Sequence, residues 1–385
     1  MHQPSDRVLQ FKDSIFGIMS AKAREAGAIN LSQGFPDFDG PEFVKAAVLE
    51  EIKKGNNQYA PFPGTPNLRS SVSDYIKKYY DISYDPNTEI TVSCGATEGI
   101  FLSILSTVNP GDEVIVFEPF YDSYVSSILT AGGIPVPICI KGPDFTIPYE
   151  ELESKINSKT KLVIFNNPYN PVGRVFSKYE LENLAKIIKK HDLLLISDEV
   201  YEFLTYDEHE HFPMASFEGM QERTLMISSA GKTFGLTGWK IGWVCAPERF
   251  STGMRKLHQY ITFSVSTPMQ EGVAHSLKQL DSYIPDFKKT YQAKRDLFYN
   301  GMVELGLSHM KTQGTYFAMV PISNVTKSND VDYAMTLIEK NKVAAIPPSA
   351  FYLESDEGRK YLRFCFAKKD TVIKEALKNL KELPT

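Results

Sequence analysis

Between about residues 88 and 246, short β-branched runs alternate with longer amphipathic ones, which predicts a mostly parallel sheet covered by helices. The strand candidates are EITVSC, DEVIVFE, KLVIFNN, LLLISDE, TLMISSA and KIGWVCA. After the third, Ser177 and Glu180 form a capping box, and Leu181, Leu184, Ile187 and Ile188 recur on one helical face that should pack on the sheet. A second helix is expected to begin with Pro41 as its first residue, turn Val44, Ala47, Val48 and Ile52 inward and stop at Gly55. Residues 1–40 show little alternation, and NNQYAPFPGTPNLR, 56–69, reads as an extended loop. From about 280 onward the pattern changes to long polar helices (PDFKKTYQAKRDLFYNGMVELG, DVDYAMTLIEKN) separated by short strands (GTYFAMV, KYLRFCFA), as in a smaller α+β domain.

A chain of 385 residues exceeds what one hydrophobic core normally supports, so two domains are expected. With 42% hydrophobic and 23% charged residues the composition is that of a folded globular protein. A net charge of -5 speaks against nucleic-acid binding. Cys94, Cys139, Cys245 and Cys365 lie far apart in or beside apolar stretches and read as buried, reduced thiols. MHQPSDRVLQFKDS lacks the apolar segment of a secretory signal, and no run has the length of a membrane span, so a cytoplasmic protein is expected.

Nearly every strand of the large region leads into a polar or glycine cluster. Gly95-Ala96-Thr97 follows the first, Pro119-Phe120-Tyr121 the second and NNPYNPVG the third; Asp198 and Tyr201 close the fourth, and Ser229 leads to Lys232 after the fifth. Parallel sheets bind ligands beyond the carboxyl ends of their strands, so one shared crevice is implied. Gly231-Lys232-Thr233 ends like a nucleotide-phosphate loop, but the glycine such a loop needs five residues earlier is Met226. Gly95–Thr97 offers free N–H groups at a helix start, suited to a phosphate or simply a strand-to-helix turn. Asp198 on a central strand must meet a cation or donors, as ligand partner, helix cap or structural ion pair. Burial of Lys232 lowers its pKa and makes the amine a nucleophile towards a carbonyl. A phosphate cradle, a Schiff-base lysine and a carboxylate for a protonated ring nitrogen together are what pyridoxal phosphate requires.

From about Phe16 to Lys368 the chain resembles the class I aminotransferases of the fold-type I pyridoxal-phosphate enzymes. NNPYNPVG is similar to the family's Asn-Pro-x-Gly turn, SDEVY to its Asp-x-x-Tyr strand end, SSAGKTFGLTGWKIGW to its lysine segment and YLRFCFAK to its carboxylate-binding arginine strand. INLSQGFPDFDGP, NQYAPFPGTPNLR, FEPFYDSY and HQYITFSVSTPMQ resemble most the branch of kynurenine and bacterial methionine aminotransferases. The resemblance implies an aspartate aminotransferase-like α/β fold. Its large cofactor-binding domain, 41–279, carries a mostly parallel seven-stranded sheet, and a smaller α+β domain forms from the arm 1–40 and from 280–385.

It implies that Lys232 bonds covalently to pyridoxal 5'-phosphate and acts as general base and acid, that Asp198 pairs with the ring nitrogen, and that Asn170 and Tyr201 bind the phenolic oxygen. Tyr121 would stack on the ring. Gly95, Ala96, Thr97, Ser229 and Lys240 would hold the phosphate, with Tyr59 reaching in from the second subunit of a homodimer. Arg363 would fork onto the substrate carboxylate, with Gly34, Asn170 and Phe16 also at the substrate. Phe16, Tyr59, Phe263 and Tyr316 are candidates for an apolar pocket or for core packing.

The implied reaction is ping-pong transfer of an amino group from a methionine-like or aromatic L-amino acid, kynurenine included, to a 2-oxo acid. Ser266 and Val265 depart from the histidine and aromatic residue of kynurenine-selective relatives, which favours methionine and large neutral amino acids. A cysteine-conjugate β-lyase on the same site and a non-catalytic sensor module are the alternatives. His209 and His211, in YDEHEHF, lack a suitably spaced third ligand and read as a solvated loop, with no metal. Gly231, Gly235 and Gly238 are expected to bend the chain around the cofactor while Trp239 and Trp243 pack the turn.

Overall fold

The computed structural model describes residues 3–11 and 13–383; Met1, His2, Lys12, Pro384 and Thr385 of the two expected terminal ranges lie outside it. In chain order its strands are β1 Ile29–Asn30, β2 Ile90–Cys94, β3 Glu113–Glu118, β4 Ile134–Cys139, β5 Thr160–Asn166, β6 Leu194–Asp198, β7 Thr224–Ser229, β8 Ile241–Cys245, β9 Phe317–Pro321, β10 Val343–Ala344 and β11 Tyr361–Cys365. Seven of them make one sheet in the order β2-β8-β7-β6-β5-β3-β4. The pairs from β4 through β3, β5 and β6 to β7 are parallel, whereas β8 runs antiparallel to both β7 and β2. It follows that β2, β5, β6 and β7 end, and β8 begins, at the same edge. Register confirms this, because Asn166 lies opposite Asp198, Ser229 opposite Gly242 and Cys94 opposite Ile241.

Alternation along the strands explains why both faces are covered. Ile115, Phe117, Val163, Phe165 and Leu195 are buried on one side with Leu181, Leu184 and Ile188 of the helix Lys178–Lys190. Val114, Val116, Leu162, Ile164, Ile196 and Ile227 are buried on the other, against Ile100 and Ile104 of the helix Gly95–Thr107. Each such side chain contributes about 1.5–3 kcal/mol on leaving water. The capping box of Ser177 and Glu180 is present. Outside the large sheet, β1 pairs in parallel with β10, and β9 pairs antiparallel with β11, setting Arg363 opposite Met319. Among the described residues no helix is long and apolar enough to cross a membrane.

The pattern misleads at several places. IPVPIC was not among the strand candidates, since Pro135 and Pro137 cannot donate to a ladder; β4 forms nonetheless because it is an edge strand paired only with β3. A helix, Ile15–Glu25, lies within the weakly patterned first forty residues. The expected 56–69 loop ends early, because Thr65 caps a helix Pro66–Tyr80 by accepting from the Leu68 N–H. Pro41 is the cap of the helix Glu42–Lys53 and not its first residue, and Ile52 is 42% exposed although Val44 and Val48 are buried. Trp243 is buried within β8, donating to the Tyr75 hydroxyl at 3.1 Å, and so does not pack the turn. A Cβ at Gly238 would meet open space, so that glycine is not required by crowding, whereas Gly235 has φ +67°. His211 is no solvated loop residue: its side chain is 3% exposed and paired with buried Glu199 at 2.9 Å.

Candidate active site

The shared strand edge holds a cavity of about 190 Å³ lined by Gly95, Ala96, Thr97, Tyr121, Asn170, Asp198, Tyr201, Ser229, Gly231, Lys232 and Lys240, eleven of the residues singled out in the sequence. The sequence reading missed Ile100, Val200, Thr237 and Ile241, which share the lining. They are ordinary apolar or small residues whose place depends on packing.

At one end, Gly95 opens the helix Gly95–Thr107 with φ +72°, which frees the N–H groups of its first turn. Lys240 stands in a left-handed conformation, φ +56°, and its Nζ would lie 3.1 Å from a Cβ placed on Gly95. Gly242 must also be glycine, because a Cβ there would come within 2.6 Å of the Gly95 carbonyl carbon. Ser229 ends β7 beside this turn. The result is a concave set of N–H, hydroxyl and ammonium donors at a helix N-terminus, which attracts a phosphate.

Across the cavity, Asp198 ends β6 with 4% exposure. Its Oδ2 accepts from the Tyr124 hydroxyl at 2.6 Å, and its Oδ1 has only the Val200 N–H at 3.3 Å. Burial pushes the carboxyl up to about 6, against the lowering effect of the Tyr124 hydrogen bond. Tyr124 was not picked out from the sequence. Its signal was the spacing in FEPFYDSY: Tyr121 and Tyr124 are three residues apart, and their rings meet edge to face at 5.8 Å. Tyr121 lines the cavity together with Thr97.

Lys232 belongs to the short helix Ala230–Thr233 after β7. Its Nζ donates to the Tyr316 hydroxyl at 2.8 Å and towards the Gly34 carbonyl at 3.3 Å, and burial brings its pKa down to about 8. Gly34 thus adjoins the cavity through its backbone. Arg363 is 1% exposed on β11, donating to Asn170 Oδ1 at 3.3 Å and to the Ser32 carbonyl at 2.9 Å, while its Nε is buried without a partner. Phe16, Phe317 and Phe351 surround the guanidinium at 5.0, 4.1 and 5.3 Å. A buried guanidinium with a free N–H, pushed down by burial to about 10, calls for an anion.

The proposed apolar quartet is not assembled within one chain. Phe16 lies by Arg363 and Tyr316 by Lys232, whereas Tyr59, 83% exposed, and Phe263, 49% exposed, meet each other at 5.2 Å on the surface. A further buried group escaped notice: Glu98, in the first turn of the cradle helix, accepts from His258 Nδ1 at 3.0 Å and from the Thr262 hydroxyl. Nothing in the local pattern joins positions 160 residues apart.

The cofactor implied by the resemblance fits this chemistry. The cradle matches a phosphate, Asp198 Oδ1 has capacity for a protonated ring nitrogen, and Lys232 offers an amine of lowered pKa.

Three comparisons bear on the same residues. The family model for aminotransferase class I and II matches residues 26–380. Over 383 residues the chain is 38% identical to methionine aminotransferase of Escherichia coli (strain K12), covering 99% of this chain and 98% of that protein. It is 39% identical to kynurenine–oxoglutarate transaminase of Dictyostelium discoideum, covering 99% of this chain and 96% of that protein. The solved structure of N-succinyldiaminopimelate aminotransferase from Mycobacterium tuberculosis superposes with a TM-score of 0.96 at 38% identity, covering 99% of this chain and all of that one.

Proposed function

The chain belongs to the class I and II aminotransferases and uses pyridoxal 5'-phosphate, and from that premise we propose that it moves the amino group of methionine and of large neutral or aromatic L-amino acids to a 2-oxo acid. When bound, the cofactor supplies an electron sink for the pair left at the substrate Cα. The Gly95–Thr97 N–H groups, Ser229 and Lys240 would hold its phosphate, with Tyr121 at the ring and Asn170 and Tyr201 at the phenolic oxygen. Asp198 Oδ1 would hold the proton on the ring nitrogen. Lys232 Nζ would accept the Cα proton and return it to the cofactor carbon beyond the amino nitrogen, as base and then acid. Arg363 holds the substrate carboxylate, and its turn towards an anion rests on its buried, unpartnered Nε.

That guanidinium carries the choice of substrate. Lys232 and Lys240 line the cavity, the one as catalyst and the other at the phosphate end, so Arg363, which adjoins it through Asn170, serves one carboxylate with Phe16 and Phe351 beside it. An amino acid with one carboxylate and an apolar or aromatic side chain suits this better than a dicarboxylate. The test is titration of the cofactor absorbance with methionine, phenylalanine, kynurenine and N-succinyldiaminopimelate. Methionine and phenylalanine are expected to convert the band at lower concentrations than N-succinyldiaminopimelate, with its three carboxylates, and the opposite order overturns the assignment.

Titration of Lys232 gives a second expectation. With its pKa lowered to about 8, the neutral fraction of the amine rises about fivefold between pH 7 and 8 and levels off above about pH 9. Rapid mixing of the cofactor-free protein with pyridoxal phosphate should show capture following this curve. An unshifted lysine would still gain about sevenfold between pH 9 and 10.

The reading includes a homodimer. Tyr59 and Phe263, 83% and 49% exposed, pack together at the surface, and Tyr260, Ile261, Leu49 and Ile52 are further exposed apolar side chains open to a second copy, whose phosphate Tyr59 would reach. It also keeps the domain division at 40 and 279, supported by the pairing of β1 from the first range with β10 from the last.

A further inference from the structure

Apolar packing does not account for Tyr316. The residue precedes β9 and is 1% exposed, with its ring stacked on Tyr291 at 6.2 Å and meeting Tyr201 edge to face at 5.3 Å. At the other end its hydroxyl donates to the Gly34 carbonyl at 2.6 Å, with the Tyr201 hydroxyl as a further neighbour. A phenol has one proton, and here Gly34 takes it. The 2.8 Å contact with Lys232 must therefore run from an amine N–H to the Tyr316 oxygen.

Counting valences then orients the amine. A neutral primary amine has two N–H bonds and one lone pair. Tyr316 Oη takes one N–H and the Gly34 carbonyl, at 3.3 Å, the other. The lone pair is left for the cavity that Lys232 lines with Asp198 and Tyr201. The Gly34 carbonyl is itself held in place. A Cβ at that position would fall 2.7 Å from Phe317 Cζ, and the segment is tied down where Arg363 donates to Ser32 at 2.9 Å and Lys368 to the Phe35 carbonyl at 2.8 Å.

We propose that Tyr316 is a positioning residue for Lys232: its hydroxyl and the Gly34 carbonyl hold the free amine with the lone pair towards the cavity. In that pose the nitrogen faces the atoms it must reach, the aldehyde carbon of the cofactor and the Cα proton of the substrate. Capture of an aldehyde by an amine forms the C–N bond and releases the aldehyde oxygen as water with both amine hydrogens. Those two hydrogens are the ones that Tyr316 and Gly34 hold. The role of Tyr316 rests on pyridoxal phosphate being the bound group.

Tyr316→Phe keeps the ring and its stacking and removes only the hydroxyl. In the cofactor-free protein, two quantities separate positioning from general damage. One is the rate of covalent capture of pyridoxal phosphate; the other is the Kd of pyridoxamine phosphate, which uses the same cradle but has no aldehyde. Capture is expected to slow about 10- to 100-fold, the scale of a reacting group misplaced by an ångström. Pyridoxamine phosphate should bind within about twofold of wild type, and kcat should fall with capture. Unchanged capture, or equal loss in both measurements, overturns the role of Tyr316 alone. Failure of the wild-type protein to take up either compound overturns the cofactor reading and this role together.

Discussion

Asp198→Asn is expected to lower turnover by about 10²- to 10³-fold while making the cofactor-free protein more stable at neutral pH. The two effects have one cause. The carboxyl is buried with one side-chain donor, Tyr124, and its pKa rises from an ordinary 3.8 to about 6. Between those values the folded protein holds a proton that the unfolded chain has released. Stability therefore falls as pH rises from about 4 to about 6, and stays lowered above that. A shift of this size corresponds to about 3 kcal/mol at most. Asparagine removes the charge but weakens one of two accepted hydrogen bonds, which leaves a gain of about 1–2 kcal/mol at pH 7.5. Denaturant unfolding of both cofactor-free proteins should show that gap at pH 7.5 and its reversal at pH 4, where the protonated wild type should be the more stable by about 0.5–1.5 kcal/mol. With pyridoxal phosphate bound the order should reverse, because the protonated ring compensates the carboxylate. A variant no more stable than wild type at pH 7.5 would show that the charge is already neutralised by the fold.

Lys232→Ala is expected to reduce turnover by about 10⁴-fold, the upper range for loss of a positioned acid and base. Cofactor should still bind, since Gly95–Thr97, Ser229 and Lys240 are untouched, and borohydride should no longer fix it to the protein. Mass spectrometry of the reduced wild-type protein should place the label on Lys232. A label on another lysine, or turnover within tenfold of wild type, sinks the assignment. The small helix Ala230–Thr233 is capped by its own backbone, so loss of this side chain should leave the fold intact.

How legible these residues were depended on how local their signals are. Gly95, Asp198, Ser229 and Lys232 each follow a β-branched run within a few positions, and the parallel arrangement brings such ends together wherever the strands lie in the sheet. IPVPIC failed the same reading because proline is penalised in general but tolerated on an edge, and a linear pattern does not say which strand is at the edge. Ile52 failed for a related cause. A helical face is apolar whether it meets its own core or another molecule, and only the neighbours tell which. His211 looked solvated among Glu208, His209 and Glu210, yet the chain folds it onto Glu199.

Residue order alone was enough for most of the element types and the crevice at the strand ends, and it singled out Lys232 and Asp198 there, because periodicity and short motifs are properties of neighbours; Arg363 was singled out only by the resemblance of its strand to the family's. Folding in three dimensions settled which Asp198 oxygen is open, that Tyr124 holds the other, that Tyr316 is a polar partner of Lys232, and that Tyr59 faces outward. These facts join positions 74, 84 and, for Arg363 and Ser32, 331 residues apart. At such separations chain connectivity imposes no geometry, so the contacts arise from packing of the sheet, its helices and the terminal strands.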